Sequence, residues 1–135
     1  MNPTIFNPEE LGPAKGYSNG VVYPAGRMLF VAGQVGWDAQ QRMVSDALPD
    51  QFAQALDNIL TVVRAAGGTP ESIGRFTIYV TDKAEYVATR KELGAAYRTR
   101  MGRHFPAMAL VVVAGLLEDG AKVEIEATAV LGGGS

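Results

Sequence analysis

The chain has 135 residues, 47% of them apolar and 19% charged, with twelve basic and fourteen acidic side chains and a formal net charge of −2. One domain of that length buries most of its surface without staples, and so apolar a composition excludes disorder. The lack of cysteine excludes disulfides, thiol catalysis and thiolate metal sites; the single histidine excludes a two-imidazole centre; the absence of a basic stripe counts against nucleic acid.

The opening residues, MNPTIFNPEELGP, have neither a positive n-region nor an apolar core, so no secretory signal is expected. No run approaches the roughly 18 apolar residues that span a bilayer, which leaves no membrane partner and a cytoplasmic location as the expectation. Residues 18–24 and 27–33 read as strands separated by Ala25-Gly26, a hairpin signal. In residues 50–68, Phe52, Ala55, Leu56, Ile59, Val63 and Ala66 recur at three- and four-residue steps and predict a helix. Gln51, Gln54, Asp57, Asn58 and Arg64 fall on its polar face, with Pro49 at its start and Gly67 at its end.

A strand is expected over 76–81. A second helix follows from Asp82, whose carboxylate caps the first turn with Glu85 three residues on. Tyr86, Leu93, Tyr97 and Met101 form its apolar stripe, Gly102 ends it, and Gly94 within it marks a close approach of helix to sheet. Residues 108–113 are apolar at every position. Residues 122–130 alternate strictly, with Lys122, Glu124, Glu126 and Thr128 on one face and Val123, Ile125, Ala127 and Ala129 on the other. Residues 132–135, Gly-Gly-Gly-Ser, read as a flexible linker beyond a single domain of residues 1–131.

This order predicts an α+β fold: a mixed, mostly antiparallel sheet with two helices on one face. Helices cover only one face of the all-apolar strand 108–113, so its other face needs a cover, and another copy of the chain is the simplest one.

Three segments in this order, GYSNGV, LFVAGQVGWD, and FPAMALVVVAGL followed by VEIEATAV, resemble the Rid family, also called YjgF/YER057c/UK114. The resemblance runs from about Gly12 to Val130. It implies a chorismate-mutase-like fold and a homotrimer with a small-molecule cleft between each pair of subunits. It also implies hydrolysis of enamines and imines such as 2-aminoacrylate to a keto acid and ammonia, with no cofactor. By the same resemblance, the arginine that grips the substrate carboxylate falls on Met108, the water-positioning glutamate on Glu124, and a cleft-lining tyrosine on Tyr17. A thioether cannot supply arginine's charge-assisted, bidentate grip, so Met108 counts against the standard 2-aminoacrylate activity.

Each candidate residue has two readings. Glu124 is either a general acid or base, or one member of a strand's polar face. Tyr17 either hydrogen-bonds a ligand or packs with a wet hydroxyl. Gly33 and Gln34, with Gly36 and Trp37, form a loop whose amides hold a carboxylate, or a tight turn anchored by the indole. Met108 is a cleft wall or plain core. His104 reads as a loop residue, while Lys15 and Arg103 are the cations nearest in sequence to the cleft. No calcium-loop spacing links Asp46, Asp50 and Asp57, and no metal site is expected. Two functions compete: an imine or enamine hydrolase, and a non-catalytic trimeric ligand-binding or scaffold protein, natural or engineered. A ribonuclease, a name older relatives carry, is the weakest reading given the acidic balance.

Overall fold

The computed structural model describes residues 2–132; most of the linker-like tail, residues 133–135, lies outside them. Six strands and three helices follow in the order β1 (Thr4–Phe6), β2 (Gly20–Val22), β3 (Arg27–Val35), α1 (Leu48–Ala65), β4 (Ile73–Val80), α2 (Lys83–Ala88), α3 (Arg90–Met101), β5 (Ala107–Val112) and β6 (Val123–Leu131). The main sheet has the order β3-β6-β4-β5. Its β3–β6 and β6–β4 pairs are antiparallel, and β4–β5 is parallel. This is the mixed α+β sheet expected, with the last strand of the chain in its middle.

The helices pack on one face. Leu56, Ile59, Leu60 and Val63 of α1 are buried against β3 and β6, and Leu93, Tyr97 and Met101 hold α3 against α1 and the sheet. Strict alternation along β6 puts Val123, Ile125, Ala127, Ala129 and Leu131 into this core. Phe76, only 1% exposed, meets the edge of Tyr97, which stacks on Phe105 at 5.4 Å between ring centroids.

Four sequence expectations are corrected. The hairpin across Ala25-Gly26 does not form: β2 pairs with β1, an unforeseen strand, in the register Ile5↔Val21. The expected second helix is two, of which α3 packs against α1 and the core while α2 buries no residue. Thr89, at φ −111° and ψ 16°, closes α2 and opens α3, and its hydroxyl donates to the Glu85 carbonyl. Such side-chain bonding to the preceding turn bends helices. Gln51 is fully buried rather than on a polar face. Its amide donates to the Ser45 and Gly120 carbonyls and accepts from the Lys122 amide, tying α1 to two loops. Finally, Gly33 and Gln34 lie inside β3 and not in a loop after it.

Candidate active site

The six candidate residues gather in two places. The first is the end of β3 against the start of β6. Here the register slips between Val31 and Gln34, so that Ala32 and Gly33 together oppose Glu126, a β-bulge. A bulge leaves one residue out of the ladder and opens space above the backbone, and the Glu124 carboxylate fills it. A Cβ built on Gly33 would lie 2.1 Å from Glu124 Oε2. Gly33 does not have a positive φ, so what glycine provides here is room for the Glu124 carboxylate and not a special backbone conformation. Sequence reasoning thus named both partners without foreseeing that they touch.

Gln34 turns its side-chain amide to the Ala32 carbonyl at 3.1 Å. The Trp37 amide donates to the Val35 carbonyl, while Asn58 of α1 donates to the carbonyls of both Val35 and Trp37. The backbone beyond the bulge is therefore a braced turn, and the Trp37 amide is already engaged.

The second place is a cavity of about 560 Å³ enclosed by the loop before β2, by α2 and α3, and by β5. Ser18 fixes the loop: its amide donates to the Pro106 carbonyl and its hydroxyl to that of Phe105, directly before β5. Tyr17 is thereby set beside Met108, and both line the cavity. Phe52, Ile78, Leu93 and Tyr97 form its buried floor. Lys15 of the flanking cations lines it; Arg103 does not. His104 is built into a rivet instead, its Nε2 2.6 Å from the Ile73 carbonyl that also receives the Tyr23 hydroxyl at 2.8 Å. Burial, reinforced by the nearby Glu71 carboxylate, pushes the Tyr23 phenol up to about 12.

Sheet register sets the relation between the two places. Met108 is paired with Phe76, whose side chain points into the helix-covered core, whereas Glu124 is paired with Tyr79 on the opposite face. Phe76 and Tyr79 are three residues apart on one strand and project from opposite sides. Within one chain, then, Tyr17 and Met108 are brought together, Gly33 and Glu124 are brought together, and the sheet separates the pairs. On Glu124's face the Tyr79 hydroxyl donates to Glu126, an interaction that holds its proton more firmly. Among the described residues no group of three or more His, Asp or Glu is placed to hold a metal ion, and no helix is long and apolar enough to cross a membrane.

With this geometry in hand, known proteins become informative. The profile of the family described as Endoribonuclease L-PSP matches residues 8–131. A solved structure of a member of the conserved Rid protein family, YyfB from Yersinia pestis, superposes with a TM-score of 0.84 at 36% identity, covering 97% of this chain and all of that one. The chain belongs to the Rid family. A Salmonella typhimurium relative of this Rid protein, named 2-iminobutanoate/2-iminopropanoate deaminase, is 35% identical over 133 residues, 96% of this chain and 98% of its own length. A Mycobacterium tuberculosis member of the YjgF/YER057c/UK114 family is 30% identical and superposes with a TM-score of 0.64 over 96% of this chain and all of that one. The expected family and the YjgF fold both hold.

Two cations that line the cavity, Arg90 and Arg98, escaped sequence reasoning. The signal was present: Arg90, Gly94 and Arg98 recur every four residues, a second helical stripe beside the apolar one. Gly94 is also reassigned. The atoms a Cβ there would meet belong to Arg98, with Nη1 at 3.2 Å, and not to the sheet.

Proposed function

We propose that this Rid protein hydrolyses small imines or enamines to a carbonyl compound and ammonia in clefts between the subunits of a cytoplasmic homotrimer. The observation that carries this reading is the placement of Glu124 over the Gly33 bulge, on the face of the sheet opposite Met108. A cleft built from the Tyr17–Met108 side of one subunit and the Glu124–Gly33 end of the next would hold both halves at once. Apolar side chains favour such a covering copy: Phe30 of β3 is 75% exposed and Val111 of β5 is 40% exposed, both on the sheet face that carries no helix.

In that cleft Glu124 takes a proton from water as the oxygen attacks the imine carbon. The carbon–nitrogen double bond becomes a single bond as that proton passes to nitrogen; the carbinolamine's hydroxyl proton then moves to the amine, and collapse expels ammonia and leaves the carbonyl. The Tyr17 hydroxyl hydrogen-bonds the substrate. The Salmonella relative's name points to 2-imino acids as the substrate class. The thioether of Met108 weakens the hold on the smallest of them.

The test generates 2-aminoacrylate or 2-iminobutanoate with a pyridoxal-phosphate lyase and follows imine loss with and without the protein. Acceleration that falls about 10²- to 10⁴-fold in Glu124→Gln supports the reading. Met108→Arg is expected to raise the rate on these small substrates. Acceleration by neither the native protein nor that variant favours a non-catalytic ligand-binding trimer. Light scattering checks the assembly, and a mass equal to that of one chain removes the intersubunit cleft.

A further inference from the structure

The cavity beside Met108 has a composition of its own. Its floor is apolar and buried, with Phe52, Ile78 and Leu93, and the stacked rings of Tyr97 and Phe105 stand at its side. Its rim carries three exposed cations, Lys15, Arg90 and Arg98, and no acidic residue lines it. Among the described residues the ion pairs are Arg100 with Asp57 and Lys122 with Glu85, so none of the three rim cations is engaged in one, and none has a side-chain hydrogen bond.

Arg90 and Arg98 stand two turns apart on α3, about 12 Å along its axis. Gly94 lies midway on the same face. Side chains on a helix lean toward its amino terminus. Arg98 does so, bringing Nη1 to 3.2 Å from the place a Gly94 Cβ would occupy. The missing side chain leaves a place in the rim that the Arg98 guanidinium folds over, and Arg90 lines the same rim one turn nearer the amino terminus than Gly94.

We propose that Arg90 and Arg98 replace the arginine absent at Met108, holding the carboxylate of a 2-oxo or 2-imino acid whose body is bulky and apolar, aromatic above all. The carboxylate sits over Gly94 against the Arg98 guanidinium, with Arg90 swinging toward it from the same rim, and the body lies against Tyr97, Phe105, Met108 and Leu110. The volume supports the size: about 560 Å³ is within the range that holds a drug-sized ligand, and a four-carbon acid leaves most of it empty. In this arrangement Met108 is a wall that suits a large apolar side chain, where a charge would have suited a small acid. The assignment rests on the reading of the Tyr17–Met108 cavity as the ligand-holding half of the cleft.

The experiment reads binding without turnover. Calorimetry of the native protein compares phenylpyruvate, 2-oxobutanoate and 3-phenylpropanol. Phenylpyruvate is expected to bind at least tenfold more tightly than either of the others, since each lacks one of the two recognised parts. The double variant Arg90→Gln/Arg98→Gln loses that preference for the acid over the alcohol. In Gly94→Leu the thermal midpoint is held or raised, because leucine is the better helix former, while phenylpyruvate binding is lost. Equal binding of phenylpyruvate and 2-oxobutanoate, no binding of phenylpyruvate, or unchanged binding in the double variant overturns the proposal. Turnover of 2-iminobutanoate without phenylpyruvate binding sinks this inference and leaves the hydrolase standing. Phenylpyruvate binding without any imine hydrolysis does the reverse.

Discussion

The hollow under α3 and the carboxylate end of β6 are built on opposite principles. The first is an absence of atoms: a buried apolar floor, a rim of unpaired cations, and a helix position with no side chain. The second is a crowding of atoms, where one carboxylate occupies the space that Gly33 leaves at the bulge. On the proposed reading, one admits a ligand and the other aims a single functional group. Because they lie on opposite faces of the sheet, neither completes the other within the chain.

Three substitutions press on this contrast. The largest effect is expected from Phe76→Ala. Phe76 is 1% exposed, is paired with both Met108 and Ala127, and packs under Tyr97, so the change empties the floor on which the hollow rests. Denaturant unfolding is expected to show a loss of about 3–5 kcal/mol. A loss below about 1 kcal/mol would mean that the hollow and the core are mechanically independent.

Next comes Gly33→Ala, aimed at the crowded end. Its methyl group meets the side chain of Glu124, from Cγ outward, which can rotate aside, so stability is expected to change by less than about 1 kcal/mol. Imine hydrolysis is expected to fall nearly as far as in Glu124→Gln, because the carboxylate is displaced. Unchanged turnover would detach Glu124's position from the chemistry.

The smallest effect is expected from Tyr23→Phe, which touches neither region. Its hydroxyl serves the Glu71 and Ile73 carbonyls, and its loss costs about 1 kcal/mol at neutral pH. The folded protein keeps this phenol protonated up to about 12, whereas the unfolded chain releases it near an ordinary value of about 10. The contribution is thus fully present below pH 10 and is lost as pH rises toward 12. Tyr23→Phe is expected to flatten the alkaline fall in stability measured over that window. The slope that remains belongs to Tyr97, whose phenol burial also pushes up, and to Tyr79, whose proton Glu126 holds.

The elements that carry a strong period were legible in sequence. The three- and four-residue steps from Phe52 to Val63 became α1, and the alternation from Val123 to Ala129 became the middle strand of the sheet. What depends on contacts distant in sequence was not. Ala25-Gly26 carries a local hairpin signal, but β2 pairs with β1, and no local pattern weighs one partner against another. Glu124 and Gly33 were both named, yet their contact follows from a bulge, and a bulge is a property of two strands. The second cationic stripe of α3 was readable and was hidden behind the apolar one. Gln51 shows the limit of patterning most plainly. A polar side chain on an apparently polar position is buried because three backbone groups of two loops come to meet it.

The strand order β3-β6-β4-β5 has a consequence for how the molecule comes into being. As the chain leaves the ribosome, β3 and β4 are made long before the strand that will lie between them. Until residues 123–131 emerge, each of those strands offers an open edge, and α1 has half a sheet to rest on. Pairing across so long a separation closes late and slowly. A truncation that removes only β6 should therefore leave no smaller folded unit, but two unsatisfied edges prone to pairing with other chains.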